Sequence, residues 1–103
     1  MPALAPIPTD LSSTTRRWAQ RVFERYRLVP DSTEHRILVE AARALDRAQE
    51  AKEVLDREGL TVTGSRGQVS AHPAAAIERD SRTLFARLIR DLNLTPEQAG
   101  PGA

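Results

Sequence analysis

The sequence predicts a mainly α-helical protein: a helical hairpin with one long helix, a short β-hairpin and a C-terminal helix. Apolar residues recur at helical spacing in three segments, and in one short segment the period changes to two. Proline and glycine stand at the borders of these segments. Only 23 of the 103 residues are Leu, Ile, Val or Phe, so the core is small and self-association is expected to bury further surface.

The N-terminal part is predicted to hold an arm and a first helix. Residues 1–10 are expected to form a disordered arm, because three prolines within them oppose helix formation. The first helix is predicted over about residues 11–28, where Trp18, Val22 and Tyr26 recur at steps of four. We expect the two aromatic side chains to be core residues rather than platforms for nucleic-acid bases.

The second helix is predicted to begin at Asp31 or Ser32 and to end at Gly59, where a left-handed C-cap is expected. At 1.5 Å per residue it is about 40 Å long, more than a compact domain with a radius of gyration near 13 Å needs. We therefore predict that its apolar seam packs against another subunit. Apart from a polar interruption at Lys52, the seam advances by alternating steps of three and four residues, and its oligomerisation residues are Leu38, Ala41, Leu45, Ala48 and Leu55.

The remainder of the chain is predicted to form a β-hairpin and a third helix. The hairpin covers about residues 60–71 around the loop Gly64-Ser65-Arg66-Gly67. The third helix begins at His72-Pro73 and runs to Asn93, and its apolar stripe consists of Ile77, Leu84, Leu88 and Leu92. The predicted organisation is a disordered arm at 1–10, a single helical domain at 11–94 and a mobile C-terminal tail at 95–103.

Arginines supply the candidate binding residues. The first 30 residues hold five arginines and two carboxylates, which makes this a basic segment. Arg17, Arg21 and Arg25 fall at steps of four on the first helix, Arg16 lies beside them, and Arg66 stands at the hairpin tip. Such a ridge of guanidinium groups is predicted to contact DNA phosphates. The alternative is an ordinary solvated helix face.

Other function classes have little support. Zero cysteine argues against disulfide frameworks and thiolate metal sites and favours an intracellular protein. No stretch is long and apolar enough for a membrane span, and the N-terminus lacks the features of a signal peptide. Asp31, Ser32 and His35 supply the residue types of a catalytic triad, but they crowd one helix start, where capping explains them. We expect no enzymatic activity, no metal and no cofactor.

The order of these segments resembles the small terminase subunit of tailed bacteriophages, of the P27 type. The resemblance covers roughly residues 15–97 and is most specific over residues 64–96. Two departures occur: Asn93 stands where glycine is usual, and Glu97-Gln98-Ala99 stands where an arginine often follows. The features that resemble the family are the Thr/Gly-rich hairpin, the His72-Pro73 junction and the closing sequence Asp91-Leu92-Asn93-Leu94-Thr95-Pro96.

The resemblance implies a protein without enzymatic activity that assembles as an oligomeric ring. It implies binding of double-stranded viral DNA in the host cytoplasm and delivery of that DNA to the large terminase subunit, which holds the ATPase and the nuclease. The residues alone leave an alternative, a helical homo-oligomer that binds protein partners only, such as a viral adaptor or an antitoxin-like module. Salt-dependent DNA binding separates the two.

Overall fold

The protein is described here by a computed structural model that covers residues 6–95. Three helices and a two-stranded antiparallel hairpin, in which Val62 lies opposite Ser70, make up these residues. These elements confirm the predicted mainly helical fold with one long helix, a short β-hairpin and a C-terminal helix. In chain order the elements are α1 (Ser13–Arg25), α2 (Thr33–Glu58), β1 (Thr61–Thr63), β2 (Val69–Ala71) and α3 (Pro73–Leu92).

Capping residues set the ends of the two long helices. The Ser32 side chain accepts a hydrogen bond from the backbone N–H of His35 at 3.1 Å and so caps α2. Gly59 ends that helix with a φ of +89°, a conformation that favours glycine. The His72 ring caps α3, and Asn93 ends it in the left-handed conformation. These four predicted ends are confirmed.

The end of α1 differs from the prediction. The helix ends at Arg25, three residues before the predicted Leu28, because the chain there turns back on itself. The N–H of Arg27 donates to the Glu24 carbonyl and the N–H of Leu28 donates to the Phe23 carbonyl. With Arg27 at a φ of +52°, these are the paired bonds of a Schellman motif. Leu28 is buried with Phe23 against it, so its apolar character belongs to this turn and not to a further helical turn.

The helices α2 and α3 pack as an antiparallel pair through small side chains. Small residues let two helix backbones approach closely, as the alanines of α2 predicted. Within the single chain, Leu45 of the predicted seam is half-buried, and Lys52, its predicted polar interruption, is exposed with its Nζ 2.7 Å from an Asp56 carboxylate oxygen. The buried stripe nearest this register is Ala41, Ala44, Ala48, Ala51 and Leu55.

The buried stripe of α3 is also shifted from the predicted one. Ile77 and Leu84 were expected in the core, yet each remains 38% exposed. Leu92 of the predicted stripe is buried and Leu88 is half-buried, while the other inward positions of α3 are Ala74 and Ser81. The prediction was wrong at Ile77 and Leu84 because the close approach of α2 selects small residues of α3 and leaves these two large ones at its edge.

The N-terminal segment packs on the helices. Ile7 is 2% exposed and lies in the main core cluster with Leu11, Ala19, Leu38 and Leu92. The predicted disordered arm is therefore wrong for residues 6–10, where an apolar anchor between the prolines outweighs their effect on helix formation. The rest of that arm, residues 1–5, lies outside the described residues, as does the predicted tail from residue 96 onward.

The aromatic residues of α1 pack as predicted. Trp18 and Tyr26 are half-buried against the main core cluster. The Trp18 ring contacts the Phe85 ring of α3, with centroids 5.7 Å apart and the planes tilted by 56°. The contact ties α1 to the third helix as well as to the second. The core assignment of the two aromatics is thereby confirmed.

A buried carboxylate on α2 anchors the start of α1. Asp46 accepts hydrogen bonds from the backbone N–H and from the hydroxyl of Ser12, both at 2.7 Å. Ser12 is in turn the N-cap of α1 and accepts from the N–H of Thr15. Only 9% of Asp46 is exposed. The charge therefore lies at the positive end of the α1 dipole, where a carboxylate is stabilising.

The environment of Asp46 lowers its pKa. Burial raises the pKa of this carboxyl, but the Thr15 hydroxyl and the two Ser12 groups lower it by more. The Thr15 hydroxyl is buried and makes no hydrogen bond within residues 6–95, so it acts on the carboxylate as a nearby dipole. The two hydrogen bonds that Ser12 donates stabilise the charged form of the Asp46 carboxylate.

The molecule is elongated and unequally packed along its length. Its extents are 59 × 31 × 23 Å and its radius of gyration is 17.3 Å, against about 13 Å for a compact domain of a hundred residues. At one end α1, the N-terminal segment and the α2–α3 pair enclose the main core. At the other end, which we call the thin end, the buried cluster consists of Ala51, Leu55 and Ala74.

We predict that Asp46→Ala lowers the free energy of unfolding by about 2 to 3 kcal/mol, because it leaves the N–H and hydroxyl of Ser12 without their acceptor. Urea denaturation at fixed protein concentration measures the effect. The matched control is Glu53→Ala, which removes an exposed carboxylate from the same helix and should change stability by less than about 0.5 kcal/mol. Equal effects of the two substitutions would contradict the anchoring role.

We also predict that this stabilisation is lost in acid. Because the folded pKa of Asp46 is lowered, its contribution is complete above the unfolded pKa of about 3.9 and disappears as the pH falls through the folded pKa. Hydrogen bonds from Arg43 and His72 lower the pKa of Asp10 and Glu58 and act in the same direction. As the pH falls from about 5 through the folded pKa, stability should fall more steeply in wild type than in Asp46→Asn. Parallel pH curves would show that Asp46 is not responsible.

Candidate nucleic-acid interface

Three arginines form an exposed ridge along α1. Arg17, Arg21 and Arg25 are all exposed, and none forms an ion pair with a carboxylate within residues 6–95. Steps of four residues advance about 6 Å each along a helix, so the ridge spans about 12 Å. An unpaired guanidinium keeps its donors free for an external anion.

The neighbours of the ridge do not neutralise it. Glu24, the one carboxylate within α1, accepts a hydrogen bond from Gln20 at 2.8 Å. The guanidinium of Arg25 lies 6.0 Å from the centre of the Tyr26 ring, a cation–π distance. Arg16 differs from the ridge residues, because it is half-buried and its Nη1 donates to the Thr9 carbonyl at 3.4 Å. The ridge itself is therefore a better phosphate contact than Arg16.

The ridge is held on a fixed helix. Asp46 and Ser12 hold the start of α1, the turn at Arg27 closes its end, and Trp18 packs on α3. Because the exposed arginines project from an anchored helix, less of their freedom is lost on binding than it would be from a flexible arm. This arrangement suits a preformed anion-binding surface.

The fifth predicted contact, Arg66, lies apart from the ridge. It stands between the two strands, beyond the C-terminal end of α2, whereas α1 packs near residues 35–46 of that helix. Twelve helical residues separate Asp46 from Glu58, so the hairpin that carries Arg66 starts about 18 Å beyond Asp46 along the α2 axis. One patch does not include both the ridge and Arg66.

The predicted oligomerisation residues mostly lie inside the chain. Leu38, Ala41, Ala48 and Leu55 are buried in the single chain, and Leu45 is half-buried. Much of this surface is covered by the chain's own α1 and α3. Their role in a subunit contact stays a prediction. Of the five residues, the half-buried Leu45 alone can contact another subunit without rearrangement of the chain.

The residues of the apparent catalytic triad serve as helix caps. Ser32 is the N-cap of α2, and the backbone N–H of Asp31 donates to Nδ1 of His35 at 2.9 Å. Nε2 of His35 bonds the Pro6 carbonyl, so the ring also fastens the N-terminal segment. No group of three or more potential metal-ligating side chains occurs within the described residues. No helix in that range meets the length and hydropathy that crossing a bilayer requires.

Two features were not predicted from the sequence: the anchoring role of Asp46 and the exposure of Ile77 and Leu84 at the edge of α3. A signal for Asp46 was present, since it follows Leu38 and Ala42 on the side of α2 that meets α1, and a carboxylate at such a position needs a hydrogen-bond partner. The exposed positions of Ile77 and Leu84 had no comparable signal, because periodicity alone does not decide between two adjacent stripes.

Comparison with known proteins identifies a family. A family model described as phage terminase, small subunit, matches residues 17–100, which is more than half of the chain and includes most of α1 and all of α2, the hairpin and α3. No curated protein and no solved structure matches. The chain therefore belongs to the phage terminase small-subunit family, and this membership indicates a role in phage DNA packaging.

Proposed function

We propose that this protein binds double-stranded viral DNA as a ring-shaped homo-oligomer and delivers it to the large terminase subunit for genome packaging. In this proposal the chain itself has no enzymatic activity and uses no cofactor, and the ATPase and nuclease belong to the large subunit. It acts in the host cytoplasm. Membership of the P27 type stays a prediction from the resemblance.

The observation that supports DNA binding best is the unpaired ridge on α1. Six ion pairs between arginine or lysine and a carboxylate neutralise charges elsewhere in the described residues, while Arg17, Arg21 and Arg25 remain unpaired and exposed. Phosphate neutralisation by arginine supplies sequence-independent affinity through release of counterions. The same contacts fix the position of the protein on the duplex.

Self-association is supported by the uneven packing of the chain. At the thin end, the stretch that joins two helices and a hairpin has a small core of two alanines and one leucine. Burial of further apolar surface against another copy is therefore favourable. Repetition of the ridge around an oligomer then gives many weak phosphate contacts on one duplex. Their combined affinity exceeds that of a single ridge.

We predict that DNA affinity falls steeply between about 50 and 200 mM salt, and that Arg17→Ala with Arg21→Ala flattens the dependence by about 0.9 for each phosphate that the variant no longer neutralises. Fluorescence anisotropy with a labelled duplex measures the slope of log affinity against log salt. The matched control is Arg79→Ala with Arg82→Ala, which removes the same charge from arginines already paired with Asp80 and Glu78.

Two results would contradict the proposal. If both double variants lower the slope equally, net charge and not the ridge determines binding. If the wild type forms a stable oligomer with no salt-dependent DNA affinity, the ridge is a solvated face and the chain is the helical oligomer that binds protein partners only.

For the large subunit, we propose that the contact lies in the tail at residues 95–103, most of which lies outside the described residues. A chain ending at Thr95 retains Leu94, which packs against the main core, so its oligomer mass and thermal stability should match the full-length protein. Its capture by the cognate large subunit in a pull-down should be weaker. Equal recovery would exclude the tail and favour α3, around Arg82, Arg87 and Arg90.

A further inference from the structure

No part of residues 6–95 covers the β-hairpin. Every residue of β1 and β2 is exposed, and Val69 retains 67% of its surface. In this register Thr63 and Val69 share one face while Val62 lies on the other, so neither face is buried on a helix. Leu60, just before the hairpin, is 70% exposed. A two-stranded hairpin alone is only marginally stable in water, which indicates a contact outside the chain.

The hairpin tip is nevertheless an ordered loop that presents one arginine. The N–H of Gly64 donates to the Gln68 carbonyl at 2.7 Å, and the N–H of Gly67 donates to the Gly64 carbonyl at 3.0 Å. The Gln68 side-chain oxygen accepts from the backbone N–H of Arg66 at 3.1 Å. The Arg66 side chain forms no ion pair with a carboxylate in the described range. The loop thus holds a free guanidinium at its tip.

An open groove of about 390 Å³ lies where the N-terminal segment meets α2 and α3. The edge residue Leu84, 38% exposed, supplies an apolar wall. The charged residues that line the groove comprise four carboxylates and two guanidiniums, so its net charge is negative. They are Asp10, Glu40, Asp46, Glu50, Arg43 and Arg47.

Two of these carboxylates are available to a partner. Asp10 is paired with Arg43 at 3.0 Å, and Asp46 is bonded to Ser12. Glu40 and Glu50 are exposed and form no ion pair within residues 6–95. The groove therefore combines an exposed leucine with two free negative charges and the guanidinium of Arg47, which is also unpaired in the described range. Its net negative charge and its leucine complement an exposed valine and one free positive charge.

We propose that the hairpin of one copy docks into this groove on a second copy, with Arg66 facing Glu40 and Glu50 and with Val69 against Leu84. The chain's own hairpin does not fill its groove, since Glu50 and Gly59 are separated by about 14 Å of helix and the strands follow Gly59. Because the hairpin and the groove are different surfaces, the contact repeats head to tail and generates a closed ring when the rotation between copies closes.

The inference rests on the oligomer of the proposed function and adds the surfaces that build it. It also assigns Arg66 to a subunit contact in place of the DNA contact that the sequence predicted. The separation of Arg66 from the α1 ridge supports this assignment, because the thin end and the DNA-binding ridge then serve different partners.

Native mass spectrometry of the full-length chain and its charge-reversed variants tests the docking. Arg66→Glu should reduce the wild-type oligomer to single chains at the same concentration, because it places a carboxylate against Glu40 and Glu50. Arg66→Glu combined with Glu50→Arg should restore the oligomer mass. The control is Arg90→Glu, the same reversal at an exposed residue of α3 with no ion pair in the described range, which should leave the mass unchanged. Circular dichroism establishes that each variant remains helical.

The outcomes separate this inference from the proposed function. An Arg66→Glu protein that keeps the wild-type mass would overturn the docking, and a reduced salt slope of its DNA binding would return Arg66 to the DNA surface. Loss of the oligomer without rescue by Glu50→Arg would overturn the groove as the acceptor. A wild-type protein that is a single chain would overturn the docking and the ring together, while the α1 ridge would still be tested by its own salt dependence.

Discussion

The hydrogen bonds between Asp46 and Ser12 are the constraint on which the rest of the structure depends. The buried carboxylate of Asp46 on α2 accepts hydrogen bonds from the N–H and the hydroxyl of Ser12 at the start of α1. Burial of an unpaired carboxylate would cost several kcal/mol, so α1 is held to one position along α2. That position determines which side of α1 packs on the core and which side presents its arginines.

A second constraint acts between α2 and α3. Because their inward stripes are made largely of alanine and serine, the two backbones pack closely and the larger side chains are displaced to the edges. The result is a molecule with a well-filled end and a thin end. The filled end fixes the basic ridge, and the thin end leaves apolar residues of the hairpin and of α3 exposed. The hairpin is thus separated from the ridge suited to DNA, whereas the groove proposed to accept a second copy lies beside the start of α1.

Much of this fold could be predicted from local chemistry. Ser32, Gly59, His72 and Asn93 mark helix ends because each satisfies backbone groups or tolerates a conformation that other residues do not. The register of the buried stripes could not be predicted in the same way. In α2 a leucine-containing stripe and an alanine-rich stripe lie side by side, and only the partner helix decides between them.

The remaining errors have the same origin in tertiary contacts. Residues 6–10 have the composition of an arm, but Ile7 reaches a core that the whole chain builds. Arg27 adopts a left-handed conformation because Leu28 gains a buried contact with Phe23. The ridge of α1 arginines was identified from spacing alone. That its charges remain unpaired, while the guanidiniums of Arg79 and Arg82 are paired, depends on which carboxylates lie within reach in the folded chain.

The most direct test of the central claim, an oligomer that presents its α1 arginines to DNA, is cryo-electron microscopy of the full-length protein bound to a duplex. We expect a closed ring with Arg17, Arg21 and Arg25 of successive copies facing the phosphate backbone. A single chain on the DNA, or a ring that contacts DNA through a face without α1, would contradict it.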